Sequence, residues 1–225
     1  MNDLLRVFSP ADRRASGGRK RLRPPIAVVA AILASLLVPA GAFAQSAAVI
    51  DFDGLPEGMI VDQVTSGAGV SGAPMSGSVA VYGASADPAV ATNAAIVFDA
   101  TCGGGGPQDC SGYEPDMYRP ELGNVLTIAP NLTDANGDGI VDHPNVYPGG
   151  GVYRFDFSQF GPGSVTVESF DLLDFEAGET GSVDLFAANG ALIASVPFSG
   201  SGGEADVTTV SVGVAGVARM EVTVL

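Results

Sequence analysis

After residue 45, apolar and polar residues alternate along much of the chain, the period of half-buried strands. Residues 48–53 set Ile50 and Phe52 on one face and Asp51 and Asp53 on the other. Leu55-Pro-Glu-Gly58 is a turn, 59–64 a second short strand, and the Gly/Ser-rich run 66–78 a loop. Residues 79–82, 94–98 and 124–128 continue the series of strands, with an irregular insertion at 99–122. In 152–157, Tyr153, Phe155 and Phe157 point one way and Arg154 and Asp156 the other. Residues 164–175 form a long strand whose phase shifts near Ser169, the mark of a bulge. Residues 182–187 and 191–196 flank Ala188-Asn-Gly190, and Asn-Gly favours the primed turn of a hairpin. Residues 207–212 and 217–224 read as a last pair around Gly213 and Gly216. No helical period persists over the length that an amphipathic helix needs. The predicted fold is all-β: a jelly-roll-like β-sandwich of about ten antiparallel strands with long loop insertions.

Residues 1–44 break this pattern and read as a signal peptide. Arg13, Arg14, Arg19, Lys20, Arg21 and Arg23 make a basic region, and residues 26–37 a short apolar run. That run is too short to span a membrane comfortably. Ala42-Phe-Ala44 supplies the small-x-small cleavage signature, so the mature chain is expected to begin at Gln45 and to form a single β-sandwich domain over 45–225. Export, to the extracellular space, the cell surface or a periplasm, follows from this reading.

Removing the leader changes the charge balance. Seven of the ten basic residues and two of the twenty-five acids lie before residue 45. Three arginines (Arg119, Arg154, Arg219) then face twenty-three acids, with no lysine. Such a surface cannot neutralise phosphates, so nucleic acid is excluded as a partner, and no membrane insertion is expected after cleavage. It suits divalent cations.

The densest oxygen chemistry lies in the 130–150 loop, in Asp134-Ala-Asn-Gly-Asp-Gly-Ile-Val-Asp142. Asp134, Asn136 and Asp138 occupy alternate positions before Gly139, the opening of a calcium loop. Ca²⁺ takes six to eight oxygens at about 2.3–2.6 Å, and short side chains at every second position let three converge as the backbone curls. The Ile140 carbonyl and Asp142 would extend the set. The twelfth position, a glutamate in an EF-hand, is Asn145, and Pro130, Pro144 and Pro148 refuse flanking helices. The loop resembles the helix-free loops of thrombospondin type 3 repeats and those inserted into bacterial β-domains. The competing reading is a solvated turn, since Asp, Asn and Gly dominate turns for backbone reasons alone.

Other residues bear weaker signals. Cys102 and Cys110, in an exported chain, are expected to pair and close the glycine-rich part of the 99–122 insertion. Tyr113, Tyr118 and Tyr147 lie in long loops where an aromatic ring can stack on a sugar, with Asp116 and Arg119 offering hydrogen bonds; the plainer reading is that they pin those loops. His143 is the sole histidine and no nucleophile motif accompanies it. Glu168, Asp171, Asp174, Glu176 and Glu179 cluster in sequence, but acids this abundant cluster by chance, and no residue is nominated as catalytic.

Ile50-Asp-Phe-Asp-Gly-Leu-Pro-Glu-Gly58, Ile96-Val-Phe-Asp99, Gly123-Asn-Val-Leu126, Val152-Tyr-Arg-Phe-Asp-Phe157, Leu172-Leu-Asp-Phe175 and Val183-Asp-Leu-Phe186 follow one another in order. Together they resemble a group of exported bacterial β-sandwich proteins, many carrying PEP-CTERM sorting tails. The resemblance implies a jelly roll like those of carbohydrate-binding modules. No Pro-Glu-Pro tail is present in this sequence, so anchoring through one is not expected. The expectation is a calcium-stabilised binding module with an extracellular glycan as preferred ligand. Its rivals are a matrix or filament protein that self-associates and, third, a glycan-active hydrolase.

Overall fold

The computed structural model describes residues 4–8, 47–74, 76–87, 93–102, 117–142, 144, 149–161, 163–203 and 205–225. They form thirteen strands: β1 (Leu4–Phe8), β2 (Ala48–Ile50), β3 (Gln63–Ser66), β4 (Gly69–Gly72), β5 (Ser78–Ser85), β6 (Ala95–Asp99), β7 (Asn124–Ile128), β8 (Gly151–Asp156), β9 (Val165–Leu173), β10 (Thr180–Phe186), β11 (Leu192–Ser199), β12 (Val207–Val217) and β13 (Arg219–Val224). The only helical turn among the described residues is 3₁₀, Ala100–Cys102. None is a helix long and apolar enough to cross a membrane.

The expected all-β, sandwich-like architecture is the one found. One layer runs β11-β10-β13-β8-β5 and the other β12-β9-β1-β7-β6. The bridge β5-β3-β4-β2-β1 joins them into a single curled sheet. From β5 onward the chain repeatedly changes layer, so most neighbours are not consecutive in sequence. Phe155, Leu185 and Val222 from one layer meet Leu126, Phe170 and Leu172 from the other in a shared apolar core. Burying each of these side chains contributes roughly 1.5–3 kcal/mol. Phe198 of β11 closes one side, its ring edge-on to Phe170 at 5.6 Å and to Phe175 at 5.4 Å.

Strong alternation located β8 well: Tyr153 and Phe155 are buried while Arg154 is exposed. The Asn-Gly turn joins β10 to β11 as expected, with Ala187 and Gly190 bonded across it.

Four local expectations are corrected. β2 stops at Ile50, because Phe52 takes a φ of +58° and turns its ring into the core, so Asp51 and Phe52 are both buried. The run 66–78 is not all loop: it holds β4, which lies parallel to β3 and antiparallel to β2. The segments 207–212 and 217–224 do not pair with each other. They lie in β12 and β13, in different layers, because the Ala218 amide crosses to the Phe186 carbonyl and its own carbonyl takes the Phe157 amide. Lastly, the irregularity belongs to β12 rather than β9. Between Ser211 and Val214, and again between Val214 and Val217, β12 advances three residues while β9 advances two. Gly213 and Gly216, with φ of +66° and +75°, fall within these two bulges, where a left-handed residue is needed.

β1 belongs to the stretch read as a leader, yet its backbone is paired on both edges in the β9 layer.

Candidate metal centre

The connection from β7 to β8 begins on the core and returns to it. Ala129 and Val141 are buried against Ile96. The Val141 amide donates to the Gly58 carbonyl at 2.9 Å, and the Gly58 amide donates to Val97 of β6 at 2.9 Å. Gly58 has a φ of +78°, and a Cβ there would lie 2.4 Å from the Val141 carbonyl oxygen. Only glycine allows this approach. The Asp142 amide donates to the Thr133 carbonyl at 2.7 Å, closing the neck of the loop.

Inside the neck the side chains organise the backbone. Asp134 Oδ1 accepts the amides of Gly137 (2.7 Å) and Asp138 (3.1 Å), and its Oδ2 accepts that of Gly139 (2.9 Å). Asn136 Oδ1 accepts the Asp138 amide and Asp138 Oδ1 the Ile140 amide, each at 2.9 Å. Asp142 Oδ2 accepts the Ala135 amide at 2.7 Å, tying the two ends together. These are the short-range Asx contacts that Asp and Asn favour in turns. Positive φ at Gly137 (+76°) and Gly139 (+85°) lets the chain curl around them.

The structure thus places Asp134, Asn136, Asp138, Ile140 and Asp142 in one closed ring. The donor types suit a hard cation: three carboxylates and an amide, each side chain keeping at least one lone pair beyond the amides it accepts. The carboxylates are not drawn together, however. Among the described residues no group of three or more His, Cys, Asp or Glu is arranged to hold a metal. Asp138 Oδ2 instead accepts the Asn136 Nδ2 amide at 2.9 Å. Binding would therefore require the Asn136 Nδ2 group to release Asp138 Oδ2 to the cation.

The second group of candidates is divided. Tyr118 is 41% exposed, next to Met117, which is buried against Phe98, Leu122 and Leu173. The Arg119 amide donates to Ala100 at 2.8 Å, and its guanidinium is 3.3 Å from Asp206 and 3.9 Å from Glu121. Arg119 thus ties the segment 117–122 to the turn before β12. Tyr113, Asp116, Tyr147, Cys110 and His143 lie outside the described residues, and with them the expected Cys102–Cys110 pairing. The other two arginines also meet acids: Arg154 Nε donates to Glu221 Oε1 at 2.8 Å, and Arg219 Nε is 3.2 Å from the same oxygen. Arg219 also lies 4.1 Å over the Phe186 ring.

Two groups of acids singled out along the sequence prove to be hydrogen-bonded knots. Asp51 accepts the Ser71 hydroxyl and the Asp53 amide, while Asp53 Oδ1 accepts the Asn124 amide at 3.2 Å. Asn124 Nδ2 donates to the Phe52 and Leu55 carbonyls, so this knot holds the turn after β2 against β7. The Asp-x-Asp-Gly spacing was its only sequence signal. Within the 168–179 acids, Asp174 Oδ1 accepts the Ala205 amide at 2.8 Å. Glu179 is 4% exposed, its Oε2 accepts the Glu176 amide at 2.7 Å, and its Oε1 has no hydrogen-bond partner among the described residues. Burial, the largest influence, raises the Glu179 carboxyl above its usual acidity range, against the opposing pull of the Glu176 amide.

No protein-family model, curated protein or solved structure matches the chain.

Proposed function

We propose that the chain is an exported binding module whose 134–142 loop holds Ca²⁺, with a glycan as its preferred ligand class. The observation that carries this reading is the closed ring of Asp134, Asn136, Asp138 and Asp142, docked through Val141 on Gly58. A cation there would offset the mutual repulsion of three acids on an already acidic chain and fasten the long β7–β8 connection to the sandwich. Its role is structural. The glycan assignment draws on the exposed Tyr118 ring beside Arg119 and on the resemblance to carbohydrate-binding jelly rolls. A sugar face packs on such a ring while a guanidinium and carboxylates take its hydroxyls.

The experiment is a glycan array probed in calcium and in chelator with wild type, Tyr118→Ala and Arg119→Ala. The reading expects a restricted set of glycans, lost in Tyr118→Ala. Absence of any bound glycan at millimolar concentration removes the glycan assignment and leaves the calcium-fastened scaffold.

Assembly through sheet edges has one observation in its favour. β11 ends its layer, and Leu192 and Ile193 are 56% and 41% exposed there. Pro197 in the middle of β11 and the register shift next to Phe186 both work against edge-to-edge pairing. The binding-module reading is therefore preferred.

A further inference from the structure

The β9 layer contains one strand drawn from far away in sequence. β1 lies antiparallel to β9 over its whole length, from Leu4 opposite Leu173 to Phe8 opposite Ser169. On its other edge Leu5 is opposite Leu126 of β7, and Val7 is opposite Ile50 of β2. The far edge of β9 is covered by β12. β1 is therefore an interior strand that fills a slot between β9 and the β2/β7 edge. It also groups with the sandwich, as part of the same compact unit.

The same five residues belong to the segment whose sequence marks it for removal after Ala44. Once removed, they would leave β9 and the β2/β7 edge with unpaired amides and carbonyls facing each other one strand apart. Residues 169–173 of β9 are all buried, and Phe170 and Leu172 are fully so. An open slot at this position exposes core and invites a strand.

We propose that leader removal opens a strand-acceptor site in this layer, and that it takes an extended segment of another protein patterned like Leu4–Phe8. That pattern is apolar with one central cation. The register sets Arg6 opposite Asp171, which is 8% exposed, and Val7 opposite Ile50, the neighbour of the buried Asp51. After residue 44 the arginines flanked by apolar residues, Arg154 and Arg219, already lie in β8 and β13, which are paired on both edges, so a second copy is a poor source of such a segment. Main-chain pairing supplies the affinity, and the alternating side chains and the cation supply the selectivity. This inference rests on the leader reading and is independent of calcium.

The test uses the full chain with a specific protease site introduced between residues 20 and 40. The leader is cut in place, the fragment is competed away, and a labelled peptide of residues 1–10 is added in calcium and in chelator. The expected result is binding at one peptide per chain in both conditions. Binding should be at least tenfold weaker for the Arg6→Glu peptide, absent for the Val7→Pro peptide, and absent with uncut protein. Amide exchange at residues 169–173 should be slow in uncut protein, at least tenfold faster once the fragment leaves, and slow again with peptide. Unchanged protection after the fragment leaves overturns the slot. Equal binding of all peptides overturns the strand mode, and a dimer protected at 169–173 without peptide replaces the foreign partner by a second copy. The mass of the exported protein tests the leader reading separately: retention of residues 1–10 means that the slot is never opened.

Discussion

Replacing Gly58 by alanine tests how the candidate loop is held. Gly58 has a φ of +78°, and its new Cβ would meet the Val141 carbonyl oxygen at 2.4 Å and Ile140 Cγ2 at 2.7 Å. The Ile140 side chain can swing away, but the carbonyl cannot without moving the loop. Forcing an L-residue into the left-handed region costs about 1–2 kcal/mol. Displacing the neck also weakens the Val141-to-Gly58 and Gly58-to-Val97 hydrogen bonds, each contributing about 1 kcal/mol. The total is about 2–4 kcal/mol, or roughly 5–15 °C in melting temperature for a domain of this size. Gly190→Ala is the control. It has a similar φ of +81° with nothing within 4 Å, so it carries the conformational cost alone, about 1–2 kcal/mol. The assay is urea denaturation of wild type and both variants, repeated in calcium and in chelator. Gly58→Ala should be the less stable variant and should lose most of any calcium-induced stabilisation, while Gly190→Ala keeps it. Equal losses in the two variants, with the calcium response intact in both, refute the docking of the loop through Gly58.

Glu179→Gln should stabilise the fold at neutral pH. The folded protein raises the carboxyl of Glu179, so wild-type stability falls as pH rises above the ordinary glutamate range and through the raised folded value. The gain from glutamine should therefore vanish when melting is measured at a pH below that range. Asp134→Ala removes the acceptor of the Gly137, Asp138 and Gly139 amides. In chelator the exposed loop should cost only about 1 kcal/mol, while calcium should no longer raise the melting temperature. Phe155→Ala in the central strand β8 should cost about 3–5 kcal/mol by denaturant unfolding, since its side chain is fully buried in the shared core. Glu221→Ala, which frees Arg154 and Arg219 at the surface, should cost about 1 kcal/mol or less in the same assay.

Local periodicity revealed what was local. β8 and β10 were bounded to within two residues because buried and more exposed positions alternate along them, and β7 to the residue because it is a short apolar run buried on both faces. As a turn, the Asp134-to-Asp142 segment was legible from its spacing of Asp, Asn and Gly, because its side-chain contacts span at most seven residues. Long-range choices were not legible. Gly213 and Gly216 looked like a turn between paired strands, whereas they bulge β12 while it stays on β9. Apolar alternation says which side of a strand is buried, not which layer receives it. Phe52 looked like the inward residue of an extended strand. It is inward, but through a left-handed turn fastened by Asn124, seventy-two residues away. β4 was hidden because its glycines and serine carry almost no hydrophobic signal, and its pairing comes from β2 and β3. β1 was hidden by the charge and cleavage pattern of the segment that contains it.

Isothermal calorimetry of Ca²⁺ into the chain, followed by melting in calcium and in chelator, tests the metal centre most directly. The account expects heat for one site per chain and a melting temperature that climbs with free calcium. The stabilisation should approach about 2.7 kcal/mol at a hundredfold excess over the dissociation constant, and it should be abolished in Asp134→Ala. No heat, together with superimposable melting curves in calcium and chelator, would contradict it and leave the 134–142 ring as a turn held by its own amides.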